Sequence, residues 1–293
     1  MSGPTLDLLA LLDLQTVGAD LFRGHSPPDA GKQVYGGQAV AQALVAATRT
    51  VPADRPAHSL HAYFVLAGDP RTPIEYAVER VRDGKSFTTR RCVASQNGRT
   101  IFTMEASFQV AEEGFEHAVA MPEAPPPEVL PDRSAIAERF QDFLPKAARQ
   151  WLERAGALDI RVVLPESLAP RAGPSRTRQF IWLRLNGPAP ADQATHAAVL
   201  AYLSDMTLLN TALLAHGRTI FDPCVQVASL DHALWLHRAF RVDDWLLYAQ
   251  ESPSASGARA LTRGEIFTRD GRLVASVAQE GLVRRRAPPP APG

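Results

Sequence analysis

The chain has 293 residues, with 31 basic and 31 acidic side chains balancing to zero net charge and a 45% hydrophobic content, enough for one large domain or two ordinary ones. With no basic excess, capture of nucleic acid or of an anionic membrane surface is not expected. The two cysteines, Cys92 and Cys224, lie far apart with no CxxC spacing, which argues against a disulfide scaffold or a cysteine-rich metal site.

In chain order, Met1 to Leu14 reads as an amphipathic first helix, with Asp7 and Asp13 among leucines and no basic leader. No apolar run approaches the ~18 residues of a membrane span. The last three residues, Ala-Pro-Gly, are not a peroxisomal Ser-Lys-Leu address. A soluble cytoplasmic protein is the expectation. Gly37 to Thr50 predicts a helix, with Val40, Ala43, Leu44 and Ala47 on one face. Its small side chains let other elements pack closely around it. Strands are predicted at His58–Leu66, Ile74–Arg82, Ser86–Gln96 and Thr100–Val110, the last two joined by an Asn97-Gly98 hairpin turn.

Glu112 to Ser175 is expected to connect two units, opening on the Pro-rich run Met121–Pro131 and continuing as a helix over Ala135–Ala155. A second helix spans roughly Thr195 to Leu214 and ends at His216-Gly217. Strands follow at Val225–Leu236, Trp245–Glu251, Ala258–Thr268 and Arg272–Val283, with Asp270-Gly271 as the matching hairpin. The domain expectation is therefore a first unit over 1–111, a connector over 112–175, a second unit over 176–285 and a disordered Pro-rich tail over 286–293.

The two halves repeat one another. Ser59-Leu60-His61-Ala62 resembles Ser229-Leu230-Asp231-His232-Ala233, Tyr76 matches Tyr248, Arg90 falls opposite Arg263, and Gly98 opposite Gly271. The separations are 170, 172, 173 and 173 residues, a slow drift that small insertions produce. A helix followed by an antiparallel sheet that curls around it is the hot-dog arrangement. The predicted class is α+β, a double hot-dog whose two units pair edge to edge in one sheet and so cover the edge each would expose.

No GxSxG, Walker, GxGxxG or HExxH motif occurs, and the eight histidines show no metal-ligand spacing, so neither metal nor cofactor is expected. Asp205 stands alone in the apolar second helix, and a carboxylate there must reach solvent or hold a partner. Read on residue type alone, Ser204 or Asp205 caps a helix break, Ser229 is a small strand residue, and Gln279 is a solvated polar group near a strand end. Alternation along Val225–Leu236 places Ser229 and His232 on opposite faces, which argues against a covalent Ser229 nucleophile served by Asp231 and His232.

A family resemblance shifts those readings. Tyr35-Gly36-Gly37-Gln38, His58-Ser59-Leu60-His61-Ala62-Tyr63-Phe64, Arg82-Asp83-Gly84-Lys85-Ser86-Phe87 and Gln96-Asn97-Gly98 resemble the N-terminal half of acyl-CoA thioesterase II. Ser204-Asp205, Ala228-Ser229-Leu230-Asp231-His232, Trp235-Leu236-His237-Arg238, Ser252-Pro253-Ser254-Ala255-Ser256 and Val277-Ala278-Gln279-Glu280-Gly281 resemble its C-terminal half. The resemblance implies a double hot-dog enzyme that hydrolyses fatty acyl-CoA to free acid and CoA, assembled as a homodimer or homotetramer. It also implies that Asp205, Ser229 and Gln279 bind and activate a water, with Ser229 where a bacterial form carries threonine. His58 and Gly37 are carried as substrate-binding residues. The first copy has Ala106 opposite Gln279 and is expected to be structural, completing the sheet and walling the acyl tunnel. A hot-dog enoyl-CoA hydratase and a non-catalytic acyl-CoA binding protein are the alternatives.

Overall fold

The computed structural model describes residues 8–28, 30–139, 156–163 and 177–286. Among these, thirteen strands form one sheet in the order β1-β2-β4-β5-β6-β3-β10-β13-β12-β11-β8-β7, with β9 pairing β13. The first unit contributes β1 (Gln15–Gly18), β2 (Leu21–Gly24), β3 (Ala57–Phe64), β4 (Ile74–Asp83), β5 (Phe87–Gln96) and β6 (Arg99–Gln109). The second contributes β7 (Leu158–Val162), β8 (Arg178–Leu185), β9 (Val225–Ser229), β10 (Asp231–Leu236), β11 (Leu246–Ser256), β12 (Arg259–Thr268) and β13 (Leu273–Arg285). The helices are α1 (Leu8–Leu12), α2 (Gly36–Thr48), α3 (Arg133–Arg139), α4 (Gln193–Ser204) and α5 (Asn210–Leu214).

The units meet where β3 pairs antiparallel with β10, Leu60 opposite Leu234 and His61 opposite Ala233. Helices α2 and α4 lie side by side against the sheet. Ten residues of α2, Gly37–Leu44 with Ala46 and Ala47, are buried, and so are the nine of α4 from His196 to Ser204. The double hot-dog expected from the element order is the architecture found. The small-residue character of α2 explains the close packing, because the two backbones touch: a Cβ on Gly37 would collide with the Tyr202 carbonyl oxygen.

The strand registers refine the repeat. Arg90 pairs with Ala106 and Thr262 with Gln279, so Ala106 is indeed the counterpart of Gln279, but the counterpart of Arg90 is Thr262 and not Arg263. A slip of one residue matters because it exchanges the faces of a strand: Arg90 and Thr262 are buried, whereas Arg263 is exposed. In the same register Leu60 corresponds to His232 and Ser59 to Asp231. His61 and Ala233 are then counterparts that also face each other, so a local two-fold axis passes between them.

Other boundaries moved for local reasons. Strands β1, β2, β7 and β8 had no strong alternating signal and were not anticipated. β7 pairs with β8, so the second unit's part of the sheet reaches back to Leu158, inside the segment expected as connector. The Pro-rich run packs on the outer face of the second unit, with Trp182 Nε1 donating to the Pro125 carbonyl at 2.8 Å. Of the first predicted helix, Leu8–Leu12 is helical and residues 1–7 lie outside the described residues. The Ala135–Ala155 helix is described only to Arg139, and most of the tail, 287–293, is likewise outside. No helix of the described residues is long and apolar enough to cross a membrane.

Candidate active site

Two predicted continuous elements are broken, and the candidate site forms at the breaks. The second helix stops at Ser204 and resumes at Asn210, leaving Asp205 as its C-cap at φ −84°, ψ −18°. Two tyrosines, one from each unit, cap its last turn: partly buried Tyr35 donates through Oη to the Tyr202 carbonyl and buried Tyr248 through Oη to the Ser204 carbonyl, both at 2.9 Å. These bonds use carbonyls that a helix end leaves without intrahelical donors. Burial, reinforced by the Asp205 charge, holds both phenols well above the usual tyrosine range.

The strand predicted over Val225–Leu236 is interrupted at Leu230. Ser229 pairs with Gly281 as the last residue of β9, while Ala233 pairs with Ala278 in β10. Leu230 N–H donates to the Glu280 carbonyl, and Asp231 Oδ1 accepts the Glu280 N–H at 2.6 Å. The Asp231 side chain thus satisfies a backbone donor that the ladder would otherwise leave free. The break also shifts the alternation. His232 is buried on the inner face, not turned away from Ser229 as strict alternation required.

The breaks bring Asp205, Ser229 and Gln279 together. Fully buried Gln279 donates through Nε2 to Asp205 Oδ1 at 2.8 Å and to Ser229 Oγ at 2.7 Å, and the Ser229 hydroxyl stands 3.5 Å from the same carboxylate oxygen. The other carboxylate oxygen lies at the start of α2: a Cβ on Gly36 would sit 2.7 Å from Asp205 Oδ2 and 3.0 Å from Phe64 Cε1. The first unit therefore supplies Gly36, Gly37 and Phe64 to the walls of this site. The Ser229 hydroxyl bonds to Gln279 and Asp205 with no bond to His232, and that geometry does not make it a histidine-activated nucleophile.

His58 is not brought to this cluster. Its Nε2 pairs with Ser107 Oγ at 2.8 Å beside Phe87, at the opposite end of β3 from Phe64, and burial lowers its basicity. Six residues of strand put it about 20 Å away. Gly37 does lie at the site, next to Tyr202. Sequence reasoning did not assign Tyr248, Phe64 or a site role for His232. The only signal for them was position, since each adjoins or faces a string already singled out.

Comparison with known proteins places the chain. A solved protein of unknown function with a hot-dog fold from Alicyclobacillus acidocaldarius superposes over 95% of the chain and 97% of its own, with a TM-score of 0.74 at 20% identity, which defines the class as hot-dog. Residues 155–282 match the family model described as acyl-CoA thioesterase, and residues 25–109 match that of the acyl-CoA thioesterase N-terminal domain. Acyl-CoA thioesterase 2 of Haemophilus influenzae is 38% identical, covering 97% of this chain and 99% of its own. The crystal structure of an acyl-CoA thioesterase II from Mycobacterium marinum is 44% identical with a TM-score of 0.78, over 94% of this chain and 98% of its own. The chain belongs to the acyl-CoA thioesterase II family.

Proposed function

We propose that this thioester hydrolase cleaves fatty acyl-CoA to free fatty acid and CoA by direct attack of a water set by Asp205, Ser229 and Gln279. The observation that carries the reading is the unequal use of the Asp205 carboxylate. Oδ1 accepts from the Gln279 amide, whereas Oδ2 takes no protein hydrogen bond among the described residues and faces the first turn of α2. Oδ2 is then the oxygen that takes the water's proton as general base. Ser229 holds the water by its hydroxyl, and Gln279 fixes both carboxylate and hydroxyl, so that the water is presented in one orientation.

Attack converts the thioester carbonyl to an oxyanion. The Gly36 and Gly37 amides head α2, where N–H groups lack intrahelical acceptors and the helix dipole favours negative charge. They are the donors proposed for that oxyanion. Collapse of the tetrahedral intermediate expels the CoA thiolate, which takes up a proton, and no covalent enzyme intermediate is needed. His232 lies buried behind Gln279 and is not placed to share a substrate with Asp205, as enoyl-CoA hydration would need. Asp205→Asn tests the reading: thiol release from acyl-CoA falls by about 10³-fold with the fold intact. Undiminished release would remove Asp205 from its role.

A further inference from the structure

Gln279 is useful to the site in only one orientation. Its amide nitrogen serves Asp205 and Ser229, and a flipped amide would point an oxygen at a carboxylate. The described site must therefore hold the far side of that amide. Its Oε1 is buried and has no hydrogen-bond partner of good geometry. On the same inner face, one residue beyond the Ala233–Ala278 pair, His232 lies opposite Gln279, fully buried, with an unpartnered Nδ1 of its own. The Gln279 side chain is within hydrogen-bonding reach of the ring, and burial keeps the imidazole neutral by lowering its pKa. The other ring nitrogen, Nε2, is 2.8 Å from Ser204 Oγ.

A neutral imidazole carries one proton, and the two tautomers have different consequences here. With the proton on Nε2, a lone pair on Nδ1 faces the Gln279 carbonyl oxygen and both atoms stay unsatisfied, a costly state for buried groups. With the proton on Nδ1, the ring donates to Gln279 Oε1, and Ser204 turns its hydroxyl from the Ala201 carbonyl to donate to Nε2. The bonds then run from Ser204 through His232 and Gln279 to Asp205, the residue next to Ser204. We propose that His232, as its Nδ1–H tautomer backed by Ser204, is a positioning residue that locks the Gln279 amide. This rests on the catalytic reading of Asp205, Ser229 and Gln279. In the first unit the counterpart of His232 is Leu60 and that of Gln279 is Ala106, so the histidine occurs only in the copy that has a glutamine to hold.

The test compares three substitutions with Asp205→Asn, measured in parallel. His232→Leu places at this position the side chain its counterpart already carries. It is expected to lower kcat by about ten- to a hundredfold with KM within about twofold. An asparagine side chain puts its N–H₂ where Nδ1 stands and a glutamine puts it where Nε2 stands, so His232→Asn keeps activity near the parent and His232→Gln behaves like His232→Leu. A 15N spectrum of histidine-labelled parent enzyme, with the His232 signal assigned by its loss in His232→Asn, is expected to show the proton on Nδ1. Unchanged kcat in His232→Leu, rescue by Gln and not Asn, or a proton on Nε2 would overturn the proposal. If His232→Leu does not fold, the Asn/Gln contrast and the tautomer decide. Full activity in Asp205→Asn would instead bring down the catalytic reading, whereas a dead Asp205→Asn beside a fully active His232→Leu removes this proposal alone.

Discussion

At the scale of single residues, the site depends on how few protons and lone pairs are left uncommitted. Gln279 spends both amide hydrogens inside the site, so in the proposed mechanism the Ser229 hydroxyl is the neutral group that meets the water. Removing it by Ser229→Ala is expected to lower kcat on the order of 10²-fold while leaving the melting temperature nearly unchanged, as followed by thiol release and thermal unfolding. Ser229→Thr restores the hydroxyl and adds a methyl that restricts its rotation, so its kcat is expected within about tenfold of the parent. A Thr variant as impaired as the Ala variant would show that the hydroxyl is not what the reaction uses. These residue types were legible in the sequence as isolated polar groups in apolar segments. Residue type left their roles open, because a lone Asp, Ser or Gln has an ordinary structural reading, and it was the family resemblance that grouped them as one set.

At the scale of elements, the candidate site sits where regular structure stops. Asp205 is exposed to its partners because α4 ends at Ser204, and Ser229 meets Gln279 because β9 and β10 are offset at Leu230. Asp231 holds that offset, and Asp231→Ala would strand the Glu280 N–H. We expect a loss of about 1–3 kcal/mol in denaturant unfolding, with a fall in kcat because Ser229 moves. Gly37→Ala tests the other boundary, where the added methyl meets the Tyr202 backbone carbonyl as well as the Tyr35 ring. It is expected to destabilise the fold by about 1–3 kcal/mol and to withdraw the α2 amides from Asp205, read as a lower Tm together with a lower kcat. Sequence periodicity predicted a single helix and a single strand in these regions. It could not see the breaks, because hydrophobic spacing continues across them while the backbone hydrogen bonds do not.

At the scale of the whole molecule, duplication provides two equivalent frames, and polarity separates them. Arg49 follows the end of α2 where Asp205 follows the end of α4, and Arg90 stands where the second unit has Thr262. The Arg90 guanidinium is buried and bonded to Thr50, Asp83 and the Arg82 and Thr89 carbonyls. Positive charge and a committed hydrogen-bond set occupy the first unit where the second has the Asp205 carboxylate and the Thr262 hydroxyl. Folding also buries histidines as neutral groups: His232 and His196 are fully buried and His58 partly so, and all three have lowered pKa values with burial the leading cause. Above the ordinary value of 6.5 neither folded nor unfolded chain protonates them, and stability is indifferent to pH on their account. Below it the unfolded chain binds protons that the folded chain refuses, so stability falls as pH drops from 6.5. Thermal unfolding is expected to show Tm declining between about pH 6.5 and 5, above the ordinary carboxylate range. A flat Tm over that interval would contradict the neutral burial of these rings.

The sequence by itself determined the repeat, the helix-then-sheet order and the candidate polar residues, because periodicity, turn chemistry and self-similarity are local properties of the chain. Tertiary structure alone decided that Asp205 would have Gln279 and Ser229 as partners, that Gly36 of the first unit would border the second unit's carboxylate, and that His58 would lie far off. Contacts between residues 24 to 169 positions apart depend on strand register and helix crossing, where a shift of one residue exchanges buried for exposed.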